Sequence, residues 1–294
     1  MQAIVLRSTS RIGPPMLPIV TKSFIPSPGW VLEKKHDGIR CLIVKEGDRV
    51  RLISRNRLLL NRRFPDIVKV IQKSNHSFIV DGEIAIKTSL NSSRNCQPKK
   101  GAIHRAYLFD LLSLEKTNYQ MENLLVRKKV LKTLFKFGQR ICYVDHRQRN
   151  LDAFLRKAKQ NHWEGVIAKH ITSPYLNCRT DEWKKIKFTK KGSFYICGYT
   201  QKKGLKGFYG ALLLCRKHHR SLTYVGKVHS GFDDQTASWV AARLRSLRTK
   251  NKPEIGALKS KGVTWVKPLM RVRVEYLEKT KDGKLREPRL DILQ

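Results

Sequence analysis

The sequence predicts an α+β fold in two domains, and three observations lead there. Strand-like and helix-like stretches are mixed without a regular strand–helix–strand cadence, which suits antiparallel sheets with helices packed on them. The composition changes once, at FTKKGSF (residues 188–194), where Lys, Gly and Ser read as a hinge. The 294 residues, 40% of them apolar, suffice for two ordinary cores. The boundary falls between residues 189 and 190, giving domains 1–189 and 190–294.

The elements follow in order. Residues 1–30 are Pro-rich, with GPPMLP and IPSPGW, and read as irregular. WVLEKK, IRCLIVKEG and RVRLISR read as strands, the last two joined at Gly47-Asp48 in hairpin style. Ile67, Val70 and Ile71 recur at helical spacing. SFIVDGEIAI is an apolar strand interrupted by Asp-Gly-Glu; the polar, basic TSLNSSRNCQPKK is a loop; HRAYLFDLLSL is again a strand. ENLLVRKKVLKTLFKF makes an amphipathic helix with Leu124, Leu125, Lys128, Leu131 and Leu134 in the repeat, and NLDAFLRKAKQNH makes another. WEGVIAKH and EWKKIKF are the last strands of the first domain. Beyond the hinge, FYICGYTQ, GALLLCRK, LTYVGKV and MRVRVEYLEKT are strand candidates, with one helix, DDQTASWVAARLRSLR, capped by Asp. Short strands and one helix in about 105 residues suit a small barrel of the oligonucleotide/oligosaccharide-binding (OB) type.

Charge narrows the function. Lys plus Arg number 61 against 23 Asp plus Glu, a net of +38. From residue 190 onward there are 24 basic and 8 acidic residues, net +16; the first 189 residues carry 37 and 15, net +22. Both halves are basic, which points to a long polyanion touching both, a nucleic acid above all. No apolar run reaches the length needed to span a bilayer, and the N-terminal stretch lacks a signal-peptide layout, so a cytoplasmic protein is expected. Six cysteines without CxxC spacing read as buried reduced thiols, not a zinc site.

Four otherwise apolar strands carry unexpected charges: Glu33/Lys35/Asp37/Arg40, Asp81/Glu83, Glu164/Lys169 and Lys185/Lys187. Period-two spacing puts Glu33 with Lys35, Asp81 with Glu83, and Lys185 with Lys187, each pair on one face. If those faces converge, they make a pocket of carboxylates and lysines.

The order Lys-x-Asp-Gly-x-Arg (35–40), Ser-Arg-Asn (54–56), Asp-Gly-Glu (81–83), Tyr-Leu-Phe-Asp (107–110), Glu-Gly-Val-Ile-Ala-Lys (164–169) and Trp-Lys-Lys-Ile-Lys (183–187) resembles the motif series of the covalent nucleotidyltransferases. These comprise ATP-dependent DNA ligases, RNA ligases and capping enzymes. The stretches LISRN…NRRFPDI, SPYLNCRTDEWKKIKF, YVGKVHSGF, TWVKP and EKTKDGKLREPRL are similar to the ligase domain of bacterial non-homologous end-joining DNA ligases, over nearly the whole chain. The resemblance implies an ATP-grasp-like nucleotidyltransferase domain followed by an OB-fold β-barrel, in a stand-alone DNA ligase of repair, recombination or replication. An RNA ligase or capping-type nucleotidyltransferase, and a ligase-like DNA-binding protein with weak self-adenylylation, are the alternatives.

The resemblance also assigns roles. Lys35 is the nucleophile that takes AMP from ATP, with Lys34 facing away. Glu33 accepts from the adenine amino group and Phe109 stacks on the base. Arg40 and Arg55 hold ribose or phosphate, Glu83 contacts the ribose, and Lys185 and Lys187 grip the α-phosphate. Glu83 and Glu164 bind Mg²⁺ or Mn²⁺. An amine must be neutral to attack, and free lysine titrates near about 10.4; neighbouring lysines and a cation would lower that value for Lys35. Nicked or broken duplex DNA is expected at Arg55, Arg62, Arg63, Lys202, Lys203 and Lys227. A Ku-like end-binding partner, a monomeric state and a place in the bacterial nucleoid complete the expectation. The chain departs from the pattern in four places, one of them the segment between Glu83 and Ala106, which is short and basic where the family often has a longer insert. Arg57 stands for a glycine, so the form of that turn is left open. Cys178 stands for another glycine. The closing motif is represented only by Arg286, Arg289 and Asp291, without a final lysine, so weak self-adenylylation is expected while sealing of pre-adenylylated nicks persists.

Overall fold

The computed structural model describes residues 12–86, 103–201, 209–219, 221–231, 233–256, 262–280 and 282–293. The chain divides into two compact units, Met1–Phe188 and Thr189–Gln294.

The first unit contains β1 (Leu17–Thr21), β2 (Trp30–Lys34), β3 (Ile39–Glu46), β4 (Arg49–Ser54), α1 (Pro65–Gln72), β5 (Phe78–Ile86), β6 (His104–Leu114), β7 (Thr117–Asn118), α2 (Leu124–Leu134), β8 (Ile141–Tyr143), β9 (His146–Arg147), α3 (Leu151–Gln160), β10 (Gly165–His170) and β11 (Arg179–Lys187). They form two sheets. One runs β1-β11-β10-β2-β9 and the other β4-β3-β5-β6-β7, with β8 beside β6. Pairing is antiparallel except for β1 on β11 and β8 on β6.

Alternation along the strands decides which way each sheet faces. In the first sheet Leu32, Val166, Ala168 and Ile186 are buried with Leu151 and Ala158 of α3. The residues between them point the other way. In the second sheet Cys41, Ile43, Leu52, Val80 and Leu108 pack on Ile67 and Ile71 of α1 and on Leu131 of α2. Its opposite face sends Leu42, Val44, Phe109 and Leu112 into a core shared with Trp183, Tyr175 and Val144. The two sheets therefore meet through their inner faces.

The second unit contains β12 (Lys190–Gln201), β13 (Tyr209–His218), β14 (Ser221–Val228), α4 (Asp234–Ser246), β15 (Val263–Trp265), β16 (Arg271–Tyr276) and β17 (Arg289–Leu293). The order β14-β13-β12-β16-β17, with β15 on β12, is antiparallel throughout. Two backbone bonds lead from the end of the chain back to the first edge: Leu285 N to Val225 O at 2.6 Å and Leu290 N to Ser230 O at 2.9 Å. They curl the sheet toward a barrel around Phe194, Leu212, Leu214, Val225, Val272 and Val274, with Val240 and Leu244 of α4. Asp233 caps α4 by accepting from Thr236 N at 2.8 Å.

Two local readings change. Leu17–Thr21, expected to be irregular, forms the edge strand β1, with its register shift at Pro18/Ile19, where a residue lacking an N–H is tolerated. Lys190–Ser193, expected within a hinge, begins β12 and pairs with Tyr276–Arg273. Its Lys-Lys-Gly-Ser composition resembles a linker, but its backbone groups are satisfied by a ladder that only the distant β16 supplies.

Candidate active site

The first sheet brings three strands into register. Glu33 of β2 stands opposite Ile167 of β10, which stands opposite Lys185 of β11. One step along, Lys35 N donates to Gly165 O at 3.1 Å, and Gly165 stands opposite Lys187. Only glycine fits at 165, because a Cβ there would lie 2.1 Å from Ile186 O. The close approach sets Glu164 beside the nucleophile candidate: Lys35 Nζ donates to Glu164 Oε2 at 2.6 Å. The other carboxylate oxygen, Oε1, is buried without a hydrogen-bond partner among the described residues. Burial, then Lys187 and Lys35, push the Lys185 ammonium below the usual lysine range.

The second sheet supplies the facing groups. Arg40 of β3 stands opposite Glu83 of β5, and Glu83 opposite Tyr107 of β6. Arg40 donates through Nε and Nη2 to Asp81, each at 2.6 Å, and Tyr175 Oη donates to the same carboxylate at 2.5 Å. Burial opposes the Arg40 charge, but Asp81 outweighs it and holds the guanidinium ionised. Glu83 accepts from Gly38 N at 3.0 Å, and burial pushes its carboxyl up to about 7 against the pull of Arg40 and Lys35. The His36 ring stacks on Tyr107 at 3.8 Å; burial, then Lys34 and Lys35, push it down to about 3, so it is neutral.

A cavity of about 540 Å³ lies between these groups. Of the residues expected to hold the nucleotide, Glu33, Lys35, Arg40, Arg55, Glu83, Phe109 and Lys185 line it, and Lys187 does not. Phe109 has Arg40 and Lys169 each 4.5 Å from its ring centre. Lys34, expected to face away, also lines the cavity, with its Nζ 4.9 Å over the Trp163 ring. At the base Glu33 is 2% exposed, held by Lys128 at 2.5 Å and Lys169 at 2.8 Å. Burial pushes Lys169 down to about 8 despite Glu33.

Lys128 and Lys169 are absent from the expected site. Lys128 had a signal in the sequence: it occupies a core position of the α2 stripe between Leu124 and Leu131, where a lysine needs a buried anion. Lys169 had one too, as a charge in an apolar strand. Trp183, likewise unassigned, lines the cavity with Lys169 4.0 Å over its ring.

Oxygen ligands of two carboxylates with room for substrate oxygens suit Mg²⁺ or Mn²⁺. The unpartnered Glu164 Oε1 and the cavity-lining Glu83 are donors of that kind. Among the described residues no group of three or more His, Cys, Asp or Glu gathers at one point.

Of the expected DNA contacts, Arg55 and Arg62 are exposed, while Arg63 is half-buried, 5.5 Å over Phe64. Lys227 is half-buried on β14, and Lys202 and Lys203 lie outside the described residues. Arg57 adopts φ 64°, so the left-handed turn is kept without glycine; Arg57 N bonds Ser54 O at 2.9 Å and Leu58 N bonds Ser54 Oγ at 3.0 Å. In the second unit Arg286 pairs with Glu278 at 2.7 Å, Asp291 accepts from Lys191 and Arg273, and Arg289 is exposed. No described helix is long and apolar enough to cross a membrane.

Residues 15–187 match the family model described as ATP dependent DNA ligase domain, and residues 205–294 the one described as ATP dependent DNA ligase C terminal region. The multifunctional non-homologous end joining protein LigD of Pseudomonas aeruginosa is 29% identical over 289 residues, covering 89% of this chain and 33% of that protein. The chain thus spans about a third of the length of the curated LigD relatives it matches. The crystal structure of the ligase domain from M. tuberculosis LigD aligns with a TM-score of 0.56 at 25% identity, over 96% of this chain and 95% of that one. A mycobacterial DNA ligase D complexed with ATP and MES aligns with a TM-score of 0.57 at the same identity and coverage.

Proposed function

The chain belongs to the ATP-dependent DNA ligases, and from that premise we propose that it seals breaks in duplex DNA through a covalent AMP on Lys35. One observation carries the reading: the first sheet sets Lys35 beside Glu164 and level with Lys187, and Glu33 level with Lys185, while Lys35, Lys185, Glu33 and Phe109 line one cavity. That spacing fits a nucleotide with its base on Glu33 and its phosphates among the lysines.

Lys35 must leave Glu164 and lose a proton before it attacks. Its Nζ then forms a bond to the α-phosphorus of ATP as the bond to pyrophosphate breaks. Lys185 and Lys187 neutralise charge on the phosphate and hold it in line. Glu33 accepts from the 6-amino group, Phe109 packs on the ring, and Arg40, already oriented by Asp81, meets ribose or phosphate with Glu83. A divalent cation held by Glu164 and Glu83 would supply further charge neutralisation at the phosphates. The AMP next passes to a DNA 5′-phosphate, and the 3′-hydroxyl attacks that phosphorus, closing the strand and releasing AMP. Arg55, Arg62, Arg63, Lys202, Lys203 and Lys227 hold the DNA backbone. Arg286, Arg289 and Asp291 belong to the C-terminal motif. Action in non-homologous end joining belongs to the same proposal, supported by the name of the LigD relative; a Ku-like partner, a monomeric state and a place in the nucleoid are proposed with it.

The test is incubation with α-labelled ATP and Mg²⁺ or Mn²⁺, followed by denaturation. Label stays on the wild type and is lost in Lys35→Ala. A wild type that takes no label and also fails to seal a pre-adenylylated nick would overturn the reading.

A further inference from the structure

Lys128 is 1% exposed and is not part of the cavity wall. Its Nζ donates to Glu33 Oε1 at 2.5 Å, to Val144 O at 3.0 Å and to Phe109 O at 3.4 Å. An ammonium has three N–H groups, so these acceptors use all of them and none remains for a nucleotide. Burying an ammonium on a helix stripe that a leucine would fill more cheaply is costly. What the charge secures is the position of two other groups: the Glu33 carboxylate and the backbone carrying Phe109. Lys169 holds the second oxygen of Glu33 at 2.8 Å and also donates to Phe109 O at 3.4 Å. Glu33 is therefore gripped at both oxygens from two elements, α2 and β10.

A carboxylate held this way accepts hydrogen bonds and offers none. It suits a purine with a 6-amino donor and opposes one with a 6-oxo acceptor, which would meet a buried anion lone pair to lone pair. We propose that Lys128 is a positioning residue that fixes Glu33 as an acceptor and so sets the choice of ATP over GTP, an inference that rests on the adenylylation reading above. Without Lys128, Oε1 loses its donor and is free to turn, so Glu33 no longer presents a fixed acceptor to the 6-amino group. A site built on a buried hydrogen bond discriminates strongly only while its polar groups keep their identity.

The experiment measures initial rates of label transfer to Lys35 from α-labelled ATP and α-labelled GTP in the wild type, Lys128→Met and Lys128→Arg, with thermal melts in parallel. In Lys128→Met the ATP-to-GTP ratio falls by about 10-fold or more, with KM for ATP raised, and Lys128→Arg, which keeps the cation, returns most of it. If the methionine variant does not fold, Lys128→Gln, a neutral side chain one atom shorter, is read the same way. An unchanged ratio, with both nucleotides slowed by one factor, reduces Lys128 to a structural residue and overturns the inference while leaving the adenylylation reading intact. A wild type that takes no label from ATP overturns the inference, and it overturns the adenylylation reading as well if it also fails to seal a pre-adenylylated nick.

Discussion

At the residue scale, the two acids of β5, Asp81 and Glu83, differ in what surrounds them. Asp81 is forked by Arg40 and bonded by Tyr175, whereas Glu83 has a single backbone donor, Gly38 N, and is pushed up to about 7 by burial. A raised carboxyl binds its proton more tightly in the folded chain than in the unfolded one, where it titrates near 4.5. Its stabilising contribution is therefore complete below about pH 4.5 and is lost as pH rises through 7, with a slope of at most about 1.4 kcal/mol per pH unit. Histidines pushed down by burial, His36 and His146, act in the opposite direction at mildly acid pH, so the wild-type profile alone is a sum. Their effect is common to the wild type and Glu83→Gln, and the difference between the two isolates Glu83. Urea unfolding at pH 5, 6 and 7 is expected to show the gap between variant and wild type shifting in the variant's favour as pH rises. A constant gap would mean that Glu83 stays ionised throughout. The same contrast explains what could be read in advance. Glu33, Lys35, Lys185 and Lys187 announced themselves as charges at period two in apolar strands, in an ordered motif series. Lys128 lies 95 positions from Glu33 on a helix, and only its place in a leucine stripe hinted at an anion opposite.

At the element scale, the site depends on how closely β10 and β11 approach. Gly165 lets the backbone of β10 lie against Ile186 O, and through that contact Lys35 N reaches Gly165 O while Lys187 stands across from it. A methyl group at 165 would sit 2.1 Å from a backbone oxygen, which cannot move aside as a side-chain tip can. Gly165→Ala is expected to cost about 2 kcal/mol or more in unfolding experiments. It should also cut lysine–AMP yield although no reacting side chain is altered. Normal yield with normal stability would show that the strands open without disturbing the site. The strands that the sequence revealed are those whose own alternation carries the signal, such as β3 and β10, and α1 declared itself through Ile67 and Ile71. β1 did not, because its pairing partner lies some 160 residues away and Pro18, with the prolines before it, suggests a loop. The opening of β12 did not either, since Lys-Lys-Gly-Ser becomes a strand only through the ladder with β16. Local propensity is overridden where a distant strand completes the backbone hydrogen bonds.

At the scale of the whole molecule the dominant quantity is charge, +38 over 294 residues, divided as +22 and +16 between residues 1–189 and 190–294. A basic arm would concentrate the excess in one stretch, whereas here neither part alone accounts for it. If duplex DNA is the polyanion, each phosphate neutralised releases condensed counterions, and affinity falls with salt in proportion to the number of phosphates engaged. A grip on about six phosphates gives a slope of about −5 in log K against log salt. Binding of a nicked duplex, followed by fluorescence anisotropy over a series of salt concentrations, is expected to show a slope of that order. Arg62 is exposed near the Ser54–Leu58 turn, and Lys227 belongs to β14 in the second unit. If both parts of the chain hold DNA, Arg62→Ala and Lys227→Ala each flatten the slope by about 1 and together by about 2. A slope that responds to one substitution and ignores the other would confine the grip to one unit. A slope near zero would remove nucleic acid as the reason for the charge, and with it the physical ground for reading the second unit as part of the DNA-binding surface.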